Sequence, residues 1–240
     1  MGLFDFMRKG KEEKKAFQEE NLKRLESEFD MTAALGMKEF PDAMQFIYDE
    51  GRKCFVVVEG PEDDFKSKNP YIVDFDQVKE AYVEVDEYWT EKPDKFAIRE
   101  PMQESLKMED FDKVFWRYNI IVHIKTTHPY AKHIECQLNR ETIITRISGL
   151  RLISRRGLEL NGKYKGEDIK KQSERIAEFA AHQQEAVGKE KMLDLVTHDR
   201  PDSLFGRLVE NFFEQEFVDA MNYVSKNLDM AYQICKVLEK

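Results

Sequence analysis

The chain has 240 residues, 38 Lys and Arg against 47 Asp and Glu, and a formal net charge of −9. That acidic balance argues against a general nucleic-acid binder, whose affinity for phosphate backbones depends on clustered Lys and Arg. Hydrophobic content of 41% and charged content of 35% describe a soluble protein with a real core, and no apolar run approaches the roughly 20 residues that cross a bilayer.

The N-terminus sets Leu3, Phe4, Phe6 and Met7 ahead of Arg8, Lys9, Lys11, Lys14 and Lys15. Residues 1–15 therefore allow weak contact with an anionic membrane surface, although Glu12, Glu13, Glu19 and Glu20 dilute the basic face. Position 6 is Phe, so the myristoylation pattern fails. From about Glu12 to Phe29 the recurrence of Phe17, Leu22, Leu25 and Phe29 predicts a helix, which makes 1–39 an N-terminal helical segment.

Phe46 to Val58 reads as a hairpin turning at Asp49-Glu50-Gly51, with the glycine suited to the left-handed position. Gly60-Pro61 stops the second strand, and Glu62 to Asn69 reads as a polar loop. Tyr71–Phe75 and Ala81–Val85 suggest further strands. Between Glu87 and Asp112, Pro93 and Pro101 break any long element, which leaves a charged insertion. Residues 59–113 hold 17 acidic against 8 basic side chains, whereas 114–175 hold 6 acidic against 13 basic.

The strongest pattern runs from Trp116 to Leu138. Trp116, Tyr118, Ile120, Val122 and Ile124 share one face of a strand, with Arg117, Asn119, His123 and Lys125 on the other. After a turn at Thr127-His128-Pro129-Tyr130, Ile134, Cys136 and Leu138 alternate with His133, Glu135, Gln137 and Asn139. A period of two predicts an antiparallel sheet with one buried and one wet face. Further strands are expected over Thr142–Ile147 and Leu150–Ile153.

A helix is predicted from Asp168 to Val187, with a stripe of Ile169, Ile176, Ala180 and Val187 and a stop at Gly188. Residues 40–188 thus form a β-rich domain closed by a helix. After Asp199-Arg-Pro-Asp-Ser, apolar residues recur at three and four from Leu204 to Leu238, as one very long helix or, in the favoured reading of 189–240 as a helical hairpin, as two helices meeting near Asn222–Asn227. Phe205, Phe212, Phe213 and Phe217 crowd thirteen positions of it. They occupy more than one helix face, which suggests a homodimer through 203–238. The expected core includes Phe55, Val57, Tyr118, Ile120, Val122, Ile124, Ile134, Cys136, Leu138 and Ile176.

Chemistry is thinly marked. Folding the hairpin brings His123 and Glu135 opposite each other, with His133 on the same face. These three are acceptable zinc or iron ligands on a rigid strand pair. Pro41-Asp42 followed by Asp64-Phe65-Lys66 imitates a nuclease pattern, but Gly60-Pro61 ends the strand that this chemistry requires. Asp74 and Asp76 flank Phe75, where they could bind a cation or simply mark an alternating strand end. His182 and His198 read as a helix surface and a loop. Cys54, Cys136 and Cys235 lie far apart with no Cys-x-x-Cys pair, which fits a reducing, cytoplasmic setting. There is no glycine-rich phosphate loop and no Gly-x-Ser-x-Gly elbow, so no cofactor is expected.

Several stretches carry a resemblance: Met-Gly-Leu-Phe-Asp at the start, Phe55-Val-Val-Val, Tyr71-Ile-Val-Asp-Phe-Asp-Gln-Val, Tyr82-Val-Glu-Val-Asp-Glu, Tyr118 to Tyr130, and Ile134-Glu-Cys-Gln-Leu-Asn. Over about 40–187 the chain resembles uncharacterised bacterial proteins that often join a short zinc-ribbon-like module to a β-rich domain. The cysteines of that module are missing here, so the resemblance carries over no metal. Its strand order is similar to a pleckstrin-homology-type barrel, an analogy of fold alone.

The expected fold class is therefore α+β: an antiparallel sheet or partly open barrel with an N-terminal helix and C-terminal helices. The favoured function is that of a non-enzymatic interaction or adaptor protein, whose partner is another protein or a second copy of itself. The alternative is a metal-dependent hydrolase using His123, His133 and Glu135.

Overall fold

The computed structural model describes residues 3–36, 43–60, 62–90, 115–139, 143–145, 160–196 and 202–239. The chain divides into two compact units. One comprises residues 1–81, 122–140 and 234–240, the other 82–121 and 141–233.

In the first unit a long helix α1 (Leu3–Ser27) precedes strands β1 (Ala33–Gly36), β2 (Met44–Asp49), β3 (Cys54–Glu59) and β4 (Val73–Asp74), which pair in that order in an antiparallel sheet. Leu25 and Phe29 pack with Ile47, Cys54, Val56, Val58, Phe65 and Ile72 in one buried cluster. Phe46 stacks on Phe55 at 5.0 Å on the sheet. Strand β3 buries Val56 and Val58 while Val57 is only half-buried, so the expected core position at 57 shifts by one residue.

The β2–β3 turn differs from the expected one. The left-handed residue is Lys53, at φ 54°, and Gly51 is not among the residues with positive φ. Asp49 decides this: its Oδ1 accepts the Arg52 N–H at 2.9 Å, folding a side-chain turn over 49–52. The reversal is thus completed one residue later, at Lys53, whose carbonyl accepts the Phe75 N–H at 2.8 Å. The stretch expected to be a polar loop is a 3₁₀-helix, Glu62–Lys68, whose Phe65 is buried edge-on against Phe29 at 5.5 Å. That apolar anchor holds a segment whose composition alone reads as a loop. Beyond β4 a 3₁₀ turn, Phe75–Gln77, leads into β5.

Strands β5 (Val78–Thr90), β6 (Phe115–Thr126), β7 (His133–Gln137) and β9 (Gly162–Tyr164) form a second antiparallel sheet in the order β7-β6-β5-β9, and β8 (Ile143–Thr145) also pairs β6. Tyr118, Ile120, Val122 and Ile124 on β6 are fully buried, as the alternation predicts; so are Cys136 and Leu138, whereas Ile134 is half-buried. The opposite face is not uniformly wet: Arg117 and His123 are buried too.

The second unit holds helix α2 (Glu167–Val196), which outruns its predicted length, and helix α3 (Asp202–Leu238) up to Gln233. Helix α2 continues through Gly188. A glycine costs a helix interior about 1 kcal/mol, and Lys189-Glu-Lys-Met-Leu that follows is strongly helix-forming, so the helix absorbs it. Helix α3 is one continuous element and has no break near Asn222–Asn227. Ile169, Ile176 and Ala180 are buried as expected. Ser173 and Ser225 bind each other's carbonyls at 2.9 and 3.0 Å, which brings the two helix backbones close. Phe179 meets Phe217 edge-on at 6.0 Å.

The fold is thus α+β with an N-terminal helix and C-terminal helices, and the described strands make two open sheets without closing a barrel. The strand expected at Leu150–Ile153, the Pro93 and Pro101 breaks and the side chains of Leu3, Phe4, Phe6 and Met7 lie outside the described residues. From Phe217 to Leu238 the apolar stripe of α3 is buried within one chain. Phe205, Phe212 and Phe213, which an interface through 203–238 would have to use, lie outside the described side chains.

Candidate functional site

The hairpin of β6 and β7 is closed by its own polar groups. The Thr126 N–H donates to Lys132 O at 2.9 Å, and the Thr126 hydroxyl donates to Ala131 O at 2.6 Å while accepting the His128 N–H at 2.9 Å. Counting back from the 126–132 pair sets His123 across from Glu135, with His133 on the diagonal. The three side chains expected to meet do so. His123 Nδ1 lies 3.1 Å from His133 Nε2 and 3.7 Å from Glu135 Oε1. Glu135 Oε1 is also 4.0 Å from His133 Nδ1. The imidazole rings stack at 5.2 Å with an interplanar angle of 26°. One ligand atom from each of the three residues falls within 4.8 Å of the others, so among the described residues these three could share a metal ion.

Their environments differ. His123 is 7% exposed and held by the middle of a long strand. The side chains of His133 and Glu135 are 46% and 60% exposed. The patch is open to water, with one buried member and two exposed ones. Beside it on β6, the exposed Lys125 pairs with Glu80 of β5 at 2.7 Å.

The other residues marked in the sequence do not assemble into a site. Asp64 and Lys66 sit on the 3₁₀-helix, where Lys66 Nζ donates to Phe29 O at 3.3 Å. Pro41 and Asp42 lie outside the described residues, as does His198. Asp74 is taken by an ion pair with Arg24 at 3.2 Å. His182 is exposed on α2. The three thiols are free and buried, and loss of hydration pushes them up, Cys54 to about 11 and Cys136 and Cys235 to about 12. A thiol held that far from ionisation is a poor nucleophile and a poor metal ligand at neutral pH.

One constellation had no sequence signal. Phe17 of α1, Tyr71, His128 and Tyr130 approach one another pairwise, with ring centroids from 4.8 Å (Phe17–Tyr130) to 6.5 Å (His128–Tyr130). The residues come from three distant stretches, so neither spacing nor periodicity links them. His128 is 2% exposed, its Nδ1 accepts the Tyr130 N–H at 3.2 Å, and its buried Nε2 has no hydrogen-bond partner among the described residues. Desolvation lowers its pKa from the ordinary 6.5, with Arg24 acting in the same direction and Asp74 opposing. The unfolded chain then takes up this proton at a higher pH than the native one. Stability should therefore fall as pH drops below 6.5 and level off once the native imidazole is also protonated. Urea midpoints at pH 7, 6 and 5 check this. His128→Gln should flatten part of the decline, and an identical decline in the variant would assign it to other groups.

No protein-family model matches the chain, and no curated protein or solved structure matches it either. Among the described residues, no helix is long and apolar enough to cross a membrane.

Proposed function

We propose that the chain is a non-enzymatic binding protein, an adaptor that recognises another protein through the open face of the β6–β7 hairpin. The observation that supports this reading is the wetness of the His123–His133–Glu135 patch, two of whose three side chains are about half exposed or more. Hydrolytic sites strengthen their electrostatics by excluding water, whereas two of the three side chains of this patch stand in it. It suits contact with a partner that supplies the missing walls. Tyr130, 37% exposed at the turn of the same hairpin, adds an amphipathic aromatic of the kind that anchors interfaces. The free, widely separated thiols support a reducing, cytoplasmic setting, and the acidic balance favours a protein partner over nucleic acid. The succession of antiparallel strands followed by a helix keeps the pleckstrin-homology analogy as part of this proposal.

The convergence of His, His and Glu favours a second reading, a metal-dependent hydrolase, and one experiment separates the two. Cross-linked pull-downs from the native host, with the full chain as bait, should recover a partner that a His133→Ala/Glu135→Ala double variant loses at least tenfold. Equal recovery by both baits would move the interface elsewhere. Turnover of generic phosphate or carboxylate esters with added zinc or manganese, abolished in the same variant, would overturn the adaptor reading in favour of the hydrolase.

A further inference from the structure

We infer that His123, His133 and Glu135 form a binding site for a divalent transition-metal ion of the zinc, nickel or copper class. The inference goes beyond the adaptor reading and does not depend on it.

Spacing is the first support. Around an ion with ligand bonds of about 2.0–2.2 Å, tetrahedral neighbours stand about 3.4 Å apart. His123 Nδ1 and His133 Nε2, at 3.1 Å, stand a few tenths of an ångström inside that spacing, so the exposed His133 has only to draw back slightly. Glu135 Oε1, 3.7 Å from the same His123 nitrogen, reaches it by a small side-chain adjustment. A hydrogen bond between the two rings would account for the nitrogen pair alone. It does not account for Glu135, whose Oε1 stands 3.7 Å from His123 Nδ1 and 4.0 Å from His133 Nδ1, so that one ligand atom of each residue lies within 4.8 Å of the others.

The second support is how the ligands are mounted. His123 is anchored on the long strand β6, which fixes one vertex of the site. His133 and Glu135 lie two residues apart on β7, so they project from the same face of the strand. Their exposure leaves them free to close on an ion, at a modest cost in side-chain entropy.

Donor chemistry sets the class of ion. Two imidazoles and one carboxylate suit borderline ions, whereas magnesium and calcium require oxygen donors. Three protein ligands leave at least one position open to water or to a donor from outside the chain.

The test uses the full chain, prepared without a histidine tag and stripped by chelator. Zinc is titrated in competition with a chromophoric chelator, and cobalt(II) absorption reads coordination directly. The wild type should bind one equivalent of zinc and give the visible bands of four- or five-coordinate cobalt, with no competition from magnesium or calcium. Changes outside the ligand shell alone cost about 10–100-fold in metal affinity, so His133→Ala and Glu135→Gln should weaken zinc binding by at least about tenfold. His182→Ala, at an exposed histidine of α2, should leave it unchanged. Both ligand positions are exposed, and circular dichroism serves to check that these variants stay folded. No zinc uptake by the wild type, or uptake by His133→Ala as tight as wild type, would overturn the site. Calcium binding in place of zinc would overturn its class. A chain that binds zinc but recruits no partner leaves this inference standing and counts against the adaptor reading alone.

Discussion

Ile120→Asp should abolish cooperative folding of the second sheet. Ile120 is fully buried at the centre of β6, flanked on its own face by Tyr118 and Val122, which are equally closed to water. Truncating a buried Ile costs about 2–5 kcal/mol in lost transfer energy and cavity. The carboxylate adds the cost of desolvating a charge, or of protonating it far above its ordinary range. Against a total stability of about 5–15 kcal/mol, that sum removes most or all of the native population. Ile120→Val is the control: it keeps the face apolar and should cost about 0.5–1.5 kcal/mol. Thermal melts followed by circular dichroism distinguish the outcomes. A soluble Ile120→Asp protein with an unchanged melting temperature would mean that this face of β6 is not buried.

The same strand shows what a sequence can and cannot reveal. Strict alternation from Tyr118 to Ile124 announces a strand and sorts its residues between two faces, because side chains on a pleated backbone repeat every two residues. It also lets the hairpin be closed on paper, so the meeting of His123, His133 and Glu135 was readable from register alone. Alternation does not say what lies over the second face. Arg117 and His123 are buried there, against the expectation of a wet surface, because burial is decided by elements far away in sequence. The end of α2 differs from its expected place for another reason. Gly188 is a local stop signal of about 1 kcal/mol, and a run of good helix formers after it outweighs a signal of that size. The Phe17–Tyr71–His128–Tyr130 group was invisible because nothing local requires its members to meet. Lys53 took the left-handed position expected of Gly51 because a side-chain bond from Asp49 shifted the turn by two residues.

Asn21→Leu should be among the most damaging single changes that leave the apolar core intact. Asn21 lies one turn after Phe17 and one turn before Leu25, on the inward face of α1, and is only 4% exposed. Its Nδ2 donates to Asn69 Oδ1 at 2.8 Å and to Pro70 O at 2.9 Å, while its Oδ1 accepts the Ile72 N–H at 2.9 Å. Asn69 itself is left-handed, at φ 47°, a conformation that Asn tolerates better than most residues, and its own Nδ2 returns to Gln18 O at 3.2 Å. The two asparagines clasp α1 to the segment that enters β4, satisfying backbone groups that neither a helix nor a strand supplies. Leucine has nearly the same volume, so packing survives while the Ile72 N–H and the Pro70 carbonyl lose this partner in a buried setting. Leaving a buried group unsatisfied costs about 1–3 kcal/mol, so the substitution should cost about 3–5 kcal/mol in all. Asn21→Asp separates the contributions: it keeps an acceptor for Ile72 but loses both donations and adds a charge. Urea denaturation gives the magnitude, and amide exchange along α1 should show faster opening of this helix. A loss below about 1 kcal/mol would mean that water replaces all three bonds, and that the packing of Leu25 and Phe17 and the Arg24–Asp74 pair suffice to hold α1.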